Sequence, residues 1–148
     1  MTARIPDLPA PPPDAGVYQP FWDAAARGSL ALPRCRDCGR AVWYPAPRCP
    51  GCSGARLEWT PVAGTGSLFT YTVVHRSFLA GVEVTEPFVA GLVELDGAPG
   101  ARLAAALDVA PERVRIGMRL RVRFDAAGDG WRRPVFEPAE EEAASARP

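Results

Sequence analysis

The stretch C-R-D-C-G-R-A-V-W-Y-P-A-P-R-C-P-G-C, residues 35–52, holds all four cysteines of the chain, as two C-x-x-C pairs separated by ten residues. Each pair places two sulfurs on one tight turn, where both can point at a common ion. Gly39 supplies backbone freedom just after Cys35 and Cys38, while Pro50 and Gly51 bend the turn between Cys49 and Cys52. Two such turns complete a tetrahedral four-sulfur site with no open position. Two disulfides, or four buried apolar thiols, are the competing readings. A reducing compartment disfavours the disulfides, and matched spacing with no spare cysteine favours the metal. Closed four-sulfur sites hold structural zinc or, in rubredoxin-like electron carriers, iron. Zinc is the expected ion, and its binding contributes on the order of 10–16 kcal/mol to ordering a segment with little core of its own.

The rest of the composition narrows the chemistry. The 148 residues carry 17 basic and 17 acidic side chains; every basic one is arginine, so a Schiff-base or Walker-type lysine is excluded. A single histidine, His75, rules out any mechanism needing two imidazoles. Zero formal charge argues against a general nucleic-acid binder, which carries a basic footprint. No apolar run approaches the roughly 20 residues that span a bilayer, and the proline-rich start lacks the apolar stretch of a signal peptide. The expected location is the cytoplasm, with no membrane partner.

Outward from the cysteines the chain divides into four parts. Residues 1–16, with five prolines, read as a flexible arm. Residues 17–58 read as a short helix followed by a rubredoxin-like zinc ribbon. Pro20 suits the first turn of that helix and Gly28 its end, with Tyr18, Phe21, Trp22, Ala25 and Ala26 as an apolar stripe. The stripe can pack on the body of the protein or on a partner chain. Residues 59–138 contain five candidate strands: Ser67–Arg76, Phe88–Leu95, Ala101–Leu107, Arg119–Phe124 and Trp131–Glu137. Five short strands with glycine- and proline-rich turns predict a mainly β protein built on an oligonucleotide/oligosaccharide-binding (OB) barrel. Residues 139–148 read as a disordered acidic tail.

The order of these features resembles a family in which a short aromatic helix precedes a rubredoxin-like zinc ribbon and an OB-fold domain, formerly catalogued as a domain of unknown function. The resemblance is carried by Phe21-Trp22, the run Leu30–Gly39, the run Trp43–Cys52, Leu57–Trp59, Gly64–His75, Pro87–Val89 and Ile116–Met118. It implies zinc on Cys35, Cys38, Cys49 and Cys52. It further implies an accessory subunit that binds acyl-CoA or assists a thiolase-like enzyme, an aldolase or an enoyl-CoA hydratase.

Several residues outside the cysteines bear on that expectation. Arginine pairs with phosphate bidentately, and five arginines face only Asp37 and Glu58 between Pro33 and Glu58. Arg34 and Arg48 are therefore candidate contacts for the phosphates of acyl-CoA. The row Arg119, Arg121, Arg123 raises a second function, single-stranded nucleic-acid binding, which would need stacking aromatics such as Phe69, Tyr71 and Phe88 in a basic groove. The simpler expectation has those aromatics filling the barrel and the arginines balanced by Glu94, Glu112 and Asp125. No nucleophile elbow, phosphate loop or carboxylate pair assembles an active site, so a non-catalytic subunit is expected. The exposed faces of the helix and ribbon are the expected partner surface.

Overall fold

A computed structural model of the protein describes residues 4–139, and the acidic stretch expected to be disordered lies almost wholly outside them. A 3-10 turn at Gly16–Tyr18 leads into α1 (Gln19–Ala26), and β1 (Leu30–Cys35) and β2 (Leu57–Val62) form an antiparallel pair with Cys35 opposite Leu57 and Leu30 opposite Val62. The cysteine turns lie between these two strands. Neither strand stood out in the sequence, because Pro33 and Pro61 interrupt the residues that favour extended backbone. As edge strands with only one neighbour, they can hold prolines that need no ladder bond. β2 runs without a break across positions 58 and 59, where the sequence reading separated ribbon from barrel.

The remaining strands are β3 (Thr65–Val74), β4 (Phe88–Leu95), β5 (Arg102–Leu107), β6 (Arg119–Ala126) and β7 (Arg132–Pro138). They close into a five-stranded barrel of spatial order β3-β4-β5-β7-β6, in which β5 and β7 run parallel and all other pairs antiparallel. All five strands expected from the sequence are present, with ends shifted by two residues at most. Their inward positions, including Leu68, Val89, Val93, Leu107, Leu120 and Phe136, are almost wholly buried. Phe21, Leu30 and Leu32 belong to this same core, so helix, ribbon base and barrel share one apolar interior.

The helix is the wedge between the two halves. Its buried stripe is Phe21, Ala24 and Ala25, whereas Ala26 is exposed, because the chain already turns away towards Gly28. The stripe packs on the body of the protein, the first of the two alternatives. Phe21 lies 5.1 Å from Trp43 of the ribbon, and Trp22 lies 5.4 Å edge-on to Trp131 of the barrel. Trp43 therefore packs against the helix and the shared core.

Two expectations about the barrel surface need correction. Phe69 and Tyr71 do not fill it: a bulge between Leu68 and Thr70 turns Phe69 outward, where the Arg102 guanidinium sits 3.6 Å over its ring. Tyr71 is about one-third exposed because β3 meets β6 only over Thr65–Ser67 and then runs on past it. Phe88 is buried as expected. The β6 arginines do sit among carboxylates, though mostly not those expected. Arg119 pairs with Asp96, and Arg121 with Glu137. Arg123 reaches Asp125, Asp108 and Glu137, and Asp108 is buried. The bond to Asp125 first, then those to Asp108 and Glu137, hold the Arg123 guanidinium above its ordinary pKa.

At Gly66, on β3, there is no room for a side chain: a Cβ would overlap the Glu94 carbonyl oxygen of β4 and crowd Val93. Backbone cannot retreat there without opening the barrel. Gly66→Ala is expected to destabilise the protein by about 2 kcal/mol, read as a lower urea midpoint with an unchanged slope.

Candidate metal centre

Both cysteine turns have the same backbone wiring. The Cys35 N–H donates to the Arg40 carbonyl and the Gly39 N–H to the Cys35 carbonyl, each at 2.8 Å. In the second turn the Cys49 N–H donates to the Gly54 carbonyl and the Ser53 N–H to the Cys49 carbonyl, again at 2.8 Å. The turns are thus two copies of one unit, offset by fourteen positions. Gly39 has φ +78°, and its counterpart Ser53 has φ +63°. The second turn's left-handed residue is therefore a serine outside the C-x-x-C pair. Gly51 lies in the turn at positions 50–52 as expected, without a positive φ; the left-handed residue is Ser53.

This wiring brings the four sulfurs together. Cys35 Sγ and Cys52 Sγ are 3.6 Å apart, as are Cys38 Sγ and Cys49 Sγ, and all four lie within 4.8 Å of one another. A tetrahedron with metal–sulfur bonds near 2.3 Å has edges of about 3.8 Å, so the donor set fits such an ion. Cys35 and Cys49 are buried against Val42 and Leu57, whereas Cys38 and Cys52 face solvent. The Gly51 N–H points at Cys49 Sγ and the Gly54 N–H at Cys52 Sγ, both at 3.4 Å. Such donors stabilise thiolate.

The sulfurs also influence one another's protons. The Cys52 N–H, with help from Gly51 and the neighbouring thiols, holds the Cys49 thiol down at about 7. The Gly54 N–H draws Cys52 the same way, but the other three sulfurs outweigh it and push that thiol up to about 12. One cysteine gives up its proton easily and then resists ionisation of the next. A divalent cation removes that resistance.

The candidate arginines occupy different settings. Arg34 donates to the carbonyls of Gly39, at 2.7 Å, and Gly97, at 3.0 Å, and so ties the first cysteine turn to the barrel. Arg48 is exposed and donates to the Ser53 carbonyl at 3.1 Å. An apolar groove of about 560 Å³ runs between the helix entrance and the ribbon, lined by Val17, Pro20, Pro33, Pro47, Leu57 and Trp59. Pro33 and Pro47 immediately precede the two arginines in the chain. His75 is exposed just beyond β3. No helix among the described residues is long and apolar enough to cross a membrane.

A rubredoxin-like zinc ribbon leading into an OB barrel is the class these features define. Two family models match it in that order: "ChsH2, rubredoxin-like zinc ribbon domain" over residues 22–58 and "ChsH2, C-terminal OB-fold domain" over residues 59–125. A solved chain described as "Ltp2-ChsH2(DUF35) aldolase" superposes with a TM-score of 0.74 at 30% identity, covering 86% of this chain and 98% of its own. The protein belongs to this ChsH2 (DUF35) family, and its cofactor is zinc. A DUF35 protein of unknown function from Sulfolobus solfataricus shares the fold, with a TM-score of 0.56 at 13% identity over 82% of this chain and 84% of its own. The "Probable enoyl-CoA hydratase alpha subunit" of Thermomonospora curvata is 33% identical over 141 residues, which are 94% of this chain and 43% of that relative. The chain thus spans less than half the length of that curated relative.

Thiolates must lose their protons before they bind metal, so acid competes with zinc. Zinc retention against a fixed chelator is expected to fall as pH drops from 8 to 6, through the range where Cys49 regains its proton, and atomic absorption of the dialysed protein would show it. Cys49→Ser is expected to leave zinc clearly substoichiometric at pH 8.

Proposed function

We propose that this chain is a non-catalytic accessory subunit, cytoplasmic, that associates with an acyl-CoA-processing enzyme of the thiolase-like, aldolase or enoyl-CoA hydratase kind and contacts its acyl-CoA. The observation that carries this reading is the match, over 98% of its length, to a chain described as part of an Ltp2–ChsH2 aldolase. The hydratase subunit of Thermomonospora curvata supports the same class of partner. Since the matched part is less than half of that subunit, its name brings an association to this chain and no catalytic residue.

Within this reading Cys35, Cys38, Cys49 and Cys52 are the zinc ligands. A closed shell of four thiolates leaves no position for water or substrate, so the ion's contribution is structural. It pins the two cysteine turns, and through Arg34 and the Gly97 carbonyl the first turn holds its place against the barrel. Arg48 keeps most of its donors for a phosphate, and the neighbouring groove offers apolar walls to the slender arm of acyl-CoA. The single-stranded nucleic-acid alternative gains no support from the β6 arginines, each of which is paired with a carboxylate.

Expression of the tagged chain in its native host, with the co-purifying proteins identified by mass spectrometry, tests the association. An acyl-CoA enzyme in constant ratio to the chain is the expected result; a chain recovered without one defeats the reading. For the ligand, Arg48→Glu is expected to weaken binding of a fluorescent CoA thioester to the purified complex at least tenfold, with zinc content unchanged.

A further inference from the structure

The outer surface of the barrel is divided. β6 and β7 present Arg119, Arg121, Arg123 and Glu137, all paired. The opposite side, over β3, β4 and β5, presents two rows of neighbours across the strands: Thr70–Leu92–Ala104 and Thr72–Ala90–Ala106. These are outward positions, because they alternate with the buried Gly91, Val89 and Val93 of β4 and with Leu103 and Leu107 of β5. An antiparallel sheet that faces water on one side ordinarily turns polar residues outward. Here four of the six are alanine or leucine, none is charged, and the first row borders a shallow depression of about 300 Å³.

The connection that follows β3, residues 75–87, emerges beside the second row. It carries Phe78, 95% exposed, and Leu79, 60% exposed. A phenylalanine left almost wholly in water is an unspent source of binding energy. Beyond Ser67, β3 has also left β6, so one of its edges runs on past the barrel closure with no charged or proline residue between Phe69 and Val74. Charges and prolines are what keep such edges from pairing with other chains.

We infer that the outer face of β3–β5, together with the Phe78–Leu79 loop, is the surface on which the acyl-CoA enzyme subunit docks, through an equally uncharged apolar face. The inference rests on the function proposed above and moves the partner surface from helix and ribbon to the barrel. The chemistry selects the occupant. OB folds bind oligonucleotides on this side of the barrel, but a nucleic-acid strand needs cations. Arg102, in the adjoining row opposite Glu94, is engaged over the Phe69 ring, and the loop's one arginine, Arg76, is outnumbered by Glu83 and Glu86.

The test uses the enzyme subunit identified by co-purification, titrated with the full chain by calorimetry. Phe78→Ser and Ala104→Glu are each expected to raise Kd at least tenfold, while the double variant Ala26→Glu/Tyr44→Ser, on the helix and ribbon, binds as the wild type does. Zinc content and circular dichroism establish that each variant is folded, and Phe78, on an exposed loop, remains informative should Ala104→Glu fail to fold. Wild-type affinity in the folded barrel variants, or its loss only in the helix–ribbon variant, overturns the docking surface and leaves the proposed function standing. A wild-type chain that sediments as a dimer and becomes monomeric with Ala104→Glu overturns it in favour of a second copy. A wild-type chain that recovers no acyl-CoA enzyme overturns the function, and the docking proposal with it.

Discussion

Four sulfurs held within 4.8 Å of one another cannot all carry negative charge unaided. At such separations each pair of thiolates repels by about 4 kcal/mol even at an effective dielectric constant of 20. The opposed shifts of Cys49, drawn down to about 7, and Cys52, pushed up to about 12, express that conflict. Zinc resolves it. Once four thiolates surround the ion, residues 35 to 54 have a fixed shape although the apolar cluster they form around the cysteines, Cys35, Val42 and Cys49, is small. The strand pair β1–β2 holds this knot against the remainder of the molecule.

That attachment is apolar and aromatic. Phe21 enters the same core as Leu30, Leu32 and the barrel residues, while Trp43 meets the helix at Phe21 and Trp131 meets it at Trp22. A helix of eight residues has no stability of its own, so its order derives from these contacts. Loosening the ribbon therefore exposes part of the barrel's interior, and the two halves support each other. In a family member proposed to act by recruitment, this rigidity fixes the ribbon groove relative to the barrel face across which a partner would lie.

Much of this was legible in the order of residues. Matched C-x-x-C pairs announce a four-sulfur site because ligand spacing is a local property of tight turns. Alternation along Arg119–Phe124 and the apolar run Phe88–Leu95 announce strands for the same reason, and both are present. The ribbon strands were harder to see: Pro33 and Pro61 lower their intrinsic tendency, and pairing with each other overcomes it. The left-handed Ser53 was hidden because serine does not advertise a positive φ as glycine does. It becomes visible only when the two turns are laid over each other.

The sequence by itself determined the metal site, the five barrel strands and the zero charge balance, since each depends on residue type and near-neighbour spacing. Tertiary structure alone decided which side chains face which way once the strands had met. The bulge after Leu68 turns Phe69 out, and closure on β6 pairs Arg123 with the distant Asp108 and Glu137. Closure also gathers Leu92, Ala104 and Ala106 into one uncharged face. Such groupings join residues far apart in the chain, and no local pattern encodes them; the register between strands creates them.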